Sequence, residues 1–242
     1  DLSVVDVVEA EHGEDALIRA LSRPTPRLQL LPAPAKTANL EIDLQAFDEL
    51  MANVRRTASF VVLDLPHACE PWVRAALRDA DEVVVVAGPD LASLRNADNM
   101  LKLLRSERDK ASAPTIVISM SGVPKRPEIP MKDFAEALCV KPTATFVFEP
   151  ELFAAAEAGG QMIYEAMPAA KAALQLDMLA SMLTGHEPDA QPAPRAVRQG
   201  PSTAAAPLPV LELVTRAPPE QRARPSPRPT RTGFIALQEP PP

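Results

Sequence analysis

Short unbroken apolar runs alternate with stretches of helical period along most of the first 186 residues, and the alternation is clearest between Phe60 and Arg95. Phe60-Val61-Val62-Leu63 is a run of β-forming residues with no polar interruption, the pattern of a strand buried on both faces of a parallel sheet. Asp64 follows it and so is expected at the strand's carboxyl edge. Ligands of open α/β sheets bind at that edge, and a carboxylate placed there can hold a nucleotide's Mg²⁺ through water. Val83-Val84-Val85-Val86-Ala87 repeats the pattern, and between the two runs Pro71 stands at a helix N1 position ahead of Trp72 to Ala80. Two buried parallel strands joined by a short helix are expected.

The rest of the body follows the same grammar. Glu14 to Leu21 reads as an amphipathic helix, and Arg27 to Leu31 as a strand halted by Pro32 and Pro34. Ile42 to Arg56 carries Leu44, Phe47, Leu50, Met51 and Val54 at helical spacing. From Asp90 a longer helix runs to about Glu107, with Leu91, Leu94, Met100, Leu101 and Leu104 inward. Pro114 to Ser119 is a third buried strand, Pro130 opens a helix through Leu138, and Thr143 to Phe148 is a fourth strand ending in Glu149-Pro150. Leu152 to Ala158 is a helix broken by Gly159-Gly160, and a last helix starts near Pro168 and stops at Gly185. Strands alternating with helices in this way predict an α/β protein with a doubly wound, mostly parallel sheet.

Several of these pieces resemble one family. Asp64-Leu65-Pro66 after an apolar strand, Pro71-Trp72 opening a helix, the stretch DADEVVVVAGPDLASLRNADNMLKLL, and VPKRPEIPMKDF from 123 to 134 are similar to the pilus-assembly proteins called CpaE or TadZ, of the MinD/ParA group of P-loop ATPases. The resemblance covers roughly residues 1 to 184. It implies a MinD/ParA-type sheet that is incomplete at the N-terminus, since the family's first ATPase-domain strand and the phosphate loop after it are missing here. It also implies ATP and Mg²⁺ as ligands, with Asp64 on the metal side and Asp64-Leu65-Pro66 as a turn responding to the γ-phosphate. Ser119 falls where related proteins carry an asparagine that reads adenine, and Glu149-Pro150 falls at the edge beside the base. Glu149 is equally an acidic helix cap. Pro89, Asp90, Ser93 and Arg95 are candidate interaction residues, with Ser93 and Arg95 placed to touch a nucleotide or a second subunit, although Ser93 equally suits ordinary first-turn capping and Arg95 a surface cation.

Composition changes at about residue 187. Of the 28 prolines, 14 lie in residues 187–242, where Pro, Ala, Arg, Ser and Gln dominate without sustained apolar periodicity. Such a segment buries too little to offset its ordering entropy, so 1–186 is expected to be the folded domain and 187–242 a disordered tail. Within it VLELV at 210–214 and GFIALQ at 233–238 are apolar islands of the kind that serve as docking motifs. The tail holds seven Arg against five acids, so the formal −7 of the chain divides into −9 for the body and +2 for the tail. A body this acidic argues against phosphate-backbone binding, so no nucleic-acid partner is expected. Cys69 and Cys139 show no metal or CxxC spacing and read as reduced thiols packed as small apolar residues; His67 lies beside the presumed edge without a visible partner. The last helix offers Lys171 against Asp177 rather than a basic face, so core packing is expected over membrane insertion.

A P-loop ATPase needs a glycine-rich turn whose N–H groups cradle phosphate, with a lysine beside it. The eight glycines, at 13, 88, 122, 159, 160, 185, 200 and 233, form no GxxxxGK[ST], and none is followed by Lys. Either the chain is the C-terminal portion of a longer protein whose phosphate loop lies upstream, or it is a degenerate member that binds partners without hydrolysis. The expected role is that of a cytoplasmic adaptor in assembly or polar placement of Flp, type IVb pili, held at the pole or inner-membrane face by pilus secretion and assembly proteins, with a second copy of the chain as a further candidate partner. The alternative is a MinD/ParA-type positioning ATPase whose catalytic half lies outside this chain.

Overall fold

The computed structural model describes residues 7, 13–32, 42–66, 70–108, 113–186, 213–216 and 231–238. In chain order the elements are α1 (Gly13–Ala20), β1 (Ser22–Thr25), β2 (Leu28–Leu31), α2 (Leu44–Thr57), β3 (Phe60–Pro66), α3 (Pro71–Asp79), β4 (Glu82–Ala87), α4 (Leu91–Glu107), β5 (Thr115–Ser121), α5 (Met131–Leu138), β6 (Ala144–Val147), α6 (Pro150–Ala158), α7 (Ile163–Ala166), α8 (Lys171–Thr184), β7 (Leu213–Arg216) and β8 (Arg231–Gln238). Helices alternate with parallel strands as an α/β fold requires. The chain divides into two compact units, one of residues 1–85, 101–114 and 207–242 and one of 86–100 and 115–206.

In the first unit the strand order is β1-β2-β7-β3-β8-β4. Val61, Leu63 and Leu65 are buried while Phe60, Val62 and Asp64 are half-buried, so β3 has one fully covered face and one partly covered face. α2 begins at Asp43, whose carboxylate accepts the Gln45 and Ala46 N–H groups, and it buries Phe47, Leu50, Met51 and Val54 at the spacing read from the sequence. α3 starts with Pro71 at its first turn and buries Trp72, whose ring lies 5.6 Å from that of Phe47 at a tilt of 48°. Burying these two rings against each other is worth several kcal/mol, on the order of 3–5 kcal/mol for either one truncated to alanine. β1 and β2 form an antiparallel hairpin around Pro26-Arg27, and β1, with Pro24 inside it, carried no strand signal in the sequence.

The expectation of two adjacent parallel strands joined by a helix is modified in one respect. β3 and β4 run parallel, but β8 stands between them, pairing parallel with both. β7 pairs antiparallel with the other side of β3 and with β2. Both strands come from the stretch expected to be a disordered tail, and they take in the apolar islands GFIALQ and, in part, VLELV. The remainder of 187–242 lies outside the described residues, as do His67 and Cys69.

In the second unit β5 and β6 pair in parallel, with Val117 opposite Ala144 and Ser121 opposite Val147. Ile116, Val117, Ile118, Phe134, Leu138, Leu152 and Ala156 form its core. The first turn of α4 differs from the sequence pattern: Leu91 is 71% exposed, and Ala97, Met100, Leu101 and Leu104 are buried along the helix. α8 ends at Gly185 in the left-handed region, as expected, yet it buries only Ala172, Ala173 and Leu183. Leu174, Met178 and Met182, four residues apart, are exposed, so core packing accounts for one side of this helix only. Among the described residues no helix is long and apolar enough to cross a membrane. Cys139 terminates α5 in the left-handed region and is exposed rather than packed.

Candidate functional site

In the second unit, three turns meet at the carboxyl ends of the strands. β4 leads through Gly88-Pro89-Asp90 into α4, β5 leads through 121–130 into α5, and β6 leads through Phe148-Glu149 into α6. The first two are tied by Ile129 N–H, which donates to the Pro89 carbonyl at 2.7 Å, and the last two by Phe148 N–H, which donates to the Ser121 carbonyl at 2.7 Å. These bonds satisfy loop backbone that otherwise has no ladder partner.

Each turn has a local reason for its shape. Asp90 caps α4: its carboxylate accepts Ser93 N–H at 2.9 Å and Ser93 Oγ–H at 3.1 Å, and its carbonyl accepts Leu94 N–H. Gly88 leaves room for this arrangement, since a Cβ there would lie 2.8 Å from an Asp90 carboxylate oxygen and 3.0 Å from Ser93 Oγ, and those side chains would have to shift. Met120 near the end of β5, and Gly122 and Lys125 in the loop after it, all have positive φ. Glu128 holds this path together by accepting Gly122 N–H at 2.6 Å and Ser121 Oγ–H at 3.3 Å. Arg126 donates to the Met120 carbonyl and stands 3.9 Å from Glu128, while its Nε is buried without a hydrogen-bond partner.

This shelf gathers most of the residues singled out in the sequence. Pro89 is buried and receives the loop's hydrogen bond; Asp90 and Ser93 face each other as cap and capped hydroxyl, with Ser93 only 5% exposed; Arg95 is exposed on the first turns of α4. Ser119 is half-buried inside β5, two residues before its end. Glu149 occupies the N-cap position of α6 without a side-chain capping bond, and Pro150 is in the helix's first turn. Arg126 and Glu128 were not singled out, although both lie in the quoted VPKRPEIP stretch; an Arg and a Glu two apart between prolines was the available signal.

Asp64 and Pro66 belong to the first unit. β3 runs two residues further than its apolar run suggested, so Asp64 is third from the carboxyl end and Pro66 is the last residue. Asp64 is half-buried, on the face opposite Leu63 and Leu65, and in register it stands beside Ala236 of β8. A cavity of about 240 Å³ lies on Leu63's face, lined by Phe47, Asp48, Met51, Arg55, Ala76 and Asp79, and none of the predicted site residues lines it.

These residues supply no phosphate cradle. The segments that follow β3, β4, β5 and β6 hold at most one glycine each, and the lysine among them, Lys125, is exposed beside prolines that have no N–H to give. Among the described residues no group of three or more His, Cys, Asp or Glu is placed to hold a metal ion.

Comparison with known proteins gives a consistent picture at a coarser level. No protein-family profile matches the chain. Over 106 residues it is 27% identical to the septum site-determining protein MinD of Synechocystis, covering 43% of this chain and 39% of that one. Over 119 residues it is 24% identical to MinD of Bacillus subtilis, covering 48% and 44%. In fold it is similar to a ParA family ATPase from Chlorobium tepidum, with a TM-score of 0.64 over 76% of this chain and 77% of that one, at 18% identity. The chain is related to the MinD/ParA group of P-loop ATPases. It spans about two-fifths of the length of the MinD proteins it matches. The MinD/ParA relationship accounts for the parallel strands and for turns gathered at their carboxyl ends, the edge at which open α/β sheets place their ligands.

Proposed function

We propose that this chain is a CpaE/TadZ-like adaptor in the assembly or polar placement of Flp, type IVb pili, working by binding rather than by ATP hydrolysis. One observation carries the reading: a MinD/ParA-type fold stands here on residues that form no phosphate cradle. Hydrolysis of a phosphoanhydride depends on backbone N–H groups and a lysine around the transferring phosphoryl group, and without them positioning and charge neutralisation are both lost. What the strand tips retain is a shelf locked by Glu128, Asp90 and the Ile129–Pro89 bond, suited to holding a protein partner. Arg95, exposed, and Asp90, half-buried, form its contact side, with Pro89 and Ser93 buried, and the partners are pilus secretion and assembly proteins at the cytoplasmic face of the inner membrane. The acidic body disfavours nucleic acid.

A second reading is favoured by the MinD matches: a positioning ATPase whose phosphate loop is supplied outside these residues. Two measurements on the chain test the first of them. The adaptor reading expects no melting shift with millimolar Mg²⁺-ATP and phosphate release at the background rate. An ATP-dependent shift that disappears in Asp64→Ala overturns it.

A further inference from the structure

The geometry points to β8 as an exchangeable strand: the slot between β3 and β4 is a strand-acceptor site, and its occupant, Arg231–Gln238, can be replaced by the same segment of a second copy of this chain. The pairing defines the slot. β8 runs parallel to both neighbours, from Phe60 opposite Arg231 to Pro66 opposite Gln238 on one side and from Glu82 opposite Gly233 to Val85 opposite Leu237 on the other. With β8 withdrawn, β3 and β4 stand about 9.6 Å apart, two strand spacings, too far to hydrogen-bond to each other. Two facing rows of N–H and C=O groups then form a template for an extended segment entering from the Phe60 end.

The resident strand is imperfectly matched to its slot. Two residue steps along β3, Val61 to Leu63, are matched by three along β8, Thr232 to Ile235; likewise two steps along β4, Glu82 to Val84, are matched by three from Gly233 to Ala236. β8 therefore carries one extra residue against each neighbour, at 233–234 against β3 and at 234–235 against β4, so the two irregularities overlap at Phe234.

The chain between β7 and β8 is longer than the gap between their ends. β7 runs antiparallel to β3 and ends where β8 begins, because Thr215 and Thr232 both stand opposite Val61. Residues 217–230 thus need to cross only about 10 Å, two strand spacings, whereas 14 residues reach roughly 45 Å when extended. A long tether sets the strand's local concentration without fixing it to its own sheet, which is the condition for exchange between copies.

The test uses the full-length chain and, as a stand-in for a second copy's tail, a fluorescent peptide of residues 229–240. In the unsubstituted chain the amides of 232–237 are expected to exchange with solvent at least 100-fold more slowly than in the free peptide, together with those of 61–65. Ile235→Pro removes a ladder N–H and vacates the slot, so the peptide is expected to bind that variant at least ten-fold more tightly than the unsubstituted chain. Tail amides exchanging at free-peptide rates, equal peptide affinity for the two chains, or equal binding of a scrambled peptide each overturns the inference. Should Ile235→Pro fail to fold, excess peptide added to the unsubstituted chain decides: the chain's own 232–237 amides must exchange faster while 61–65 stay protected, and an unchanged tail sinks the proposal.

Discussion

Gly88 shows how one side chain that is absent shapes a turn. A β-carbon at this position would sit against Asp90 Oδ2 and Ser93 Oγ, which bond each other, while Oδ1 of the same carboxylate accepts the capping N–H of Ser93. Either the methyl group or the cap must give way, so Gly88→Ala is expected to cost about 1–2 kcal/mol, the size of a lost N-cap. Asp90→Ala removes the same cap by another route. Because the two changes act on one set of bonds, the double variant is expected to fall short of the sum of the singles by at least about 0.5 kcal/mol. Urea unfolding of the four proteins measures this, and strictly additive losses would show that the glycine is kept for some other reason. The sequence made Asp90 and Ser93 candidates for contact and left first-turn capping open for Ser93; their hydrogen bonds are those of a cap. Glu128 was not singled out for a physical reason: its work is to accept a backbone N–H six residues away, and its place two residues after Arg126 between prolines marks a charged pair in a loop without reporting the loop's path.

At the scale of elements, helices with a marked apolar stripe were legible almost to the residue. α2 and α3 lie where Phe47, Leu50, Met51, Val54 and the Pro71-Trp72 start place them, because burial of one stripe fixes a helix's phase. The tail strands were legible only as apolar islands, since an isolated run of four to eight residues carries no partner information. How α3 ends was not legible either. Arg108 reaches back from beyond α4 and donates from Nη1 to the Leu77 carbonyl at 2.5 Å and the Ala80 carbonyl at 2.7 Å, and from Nη2 to the Asp81 carbonyl at 3.3 Å. Partial burial draws the guanidinium's pKa down while Glu82 and Asp81 oppose that, so it stays charged at any ordinary pH. Arg108→Met keeps the stem and strands the carbonyls, and a loss of about 1–2 kcal/mol is expected, at the lower end for charged hydrogen bonds because the group is partly exposed. Arg108→Lys, with one point donor in place of a fork, should recover less than half. A loss under about 0.5 kcal/mol in Arg108→Met would mean that water serves these carbonyls equally well.

For the molecule as a whole, composition and topology give opposite forecasts. Proline content and missing periodicity say that removing the C-terminal region changes nothing, because a disordered segment contributes no folding free energy. The strand order says otherwise: every ladder partner described for β3, the strand that carries Asp64, is β7 or β8. Deleting 207–242 leaves the buried Val61, Leu63 and Leu65 on a strand without hydrogen-bonded neighbours, and one buried unpaired backbone group alone costs about 1–3 kcal/mol. At about 2–4 °C per kcal/mol for a chain of this size, the melting temperature should fall by more than about 5 °C. A second experiment separates loss of the strands from loss of the covalent link. With a protease site placed between 187 and 206, cleavage should leave the C-terminal fragment bound, and the nicked protein should melt within a few degrees of the intact chain and well above the deletion. A fragment that elutes alone, with no change in melting, would return residues 207–242 to the unstructured tail that their composition describes.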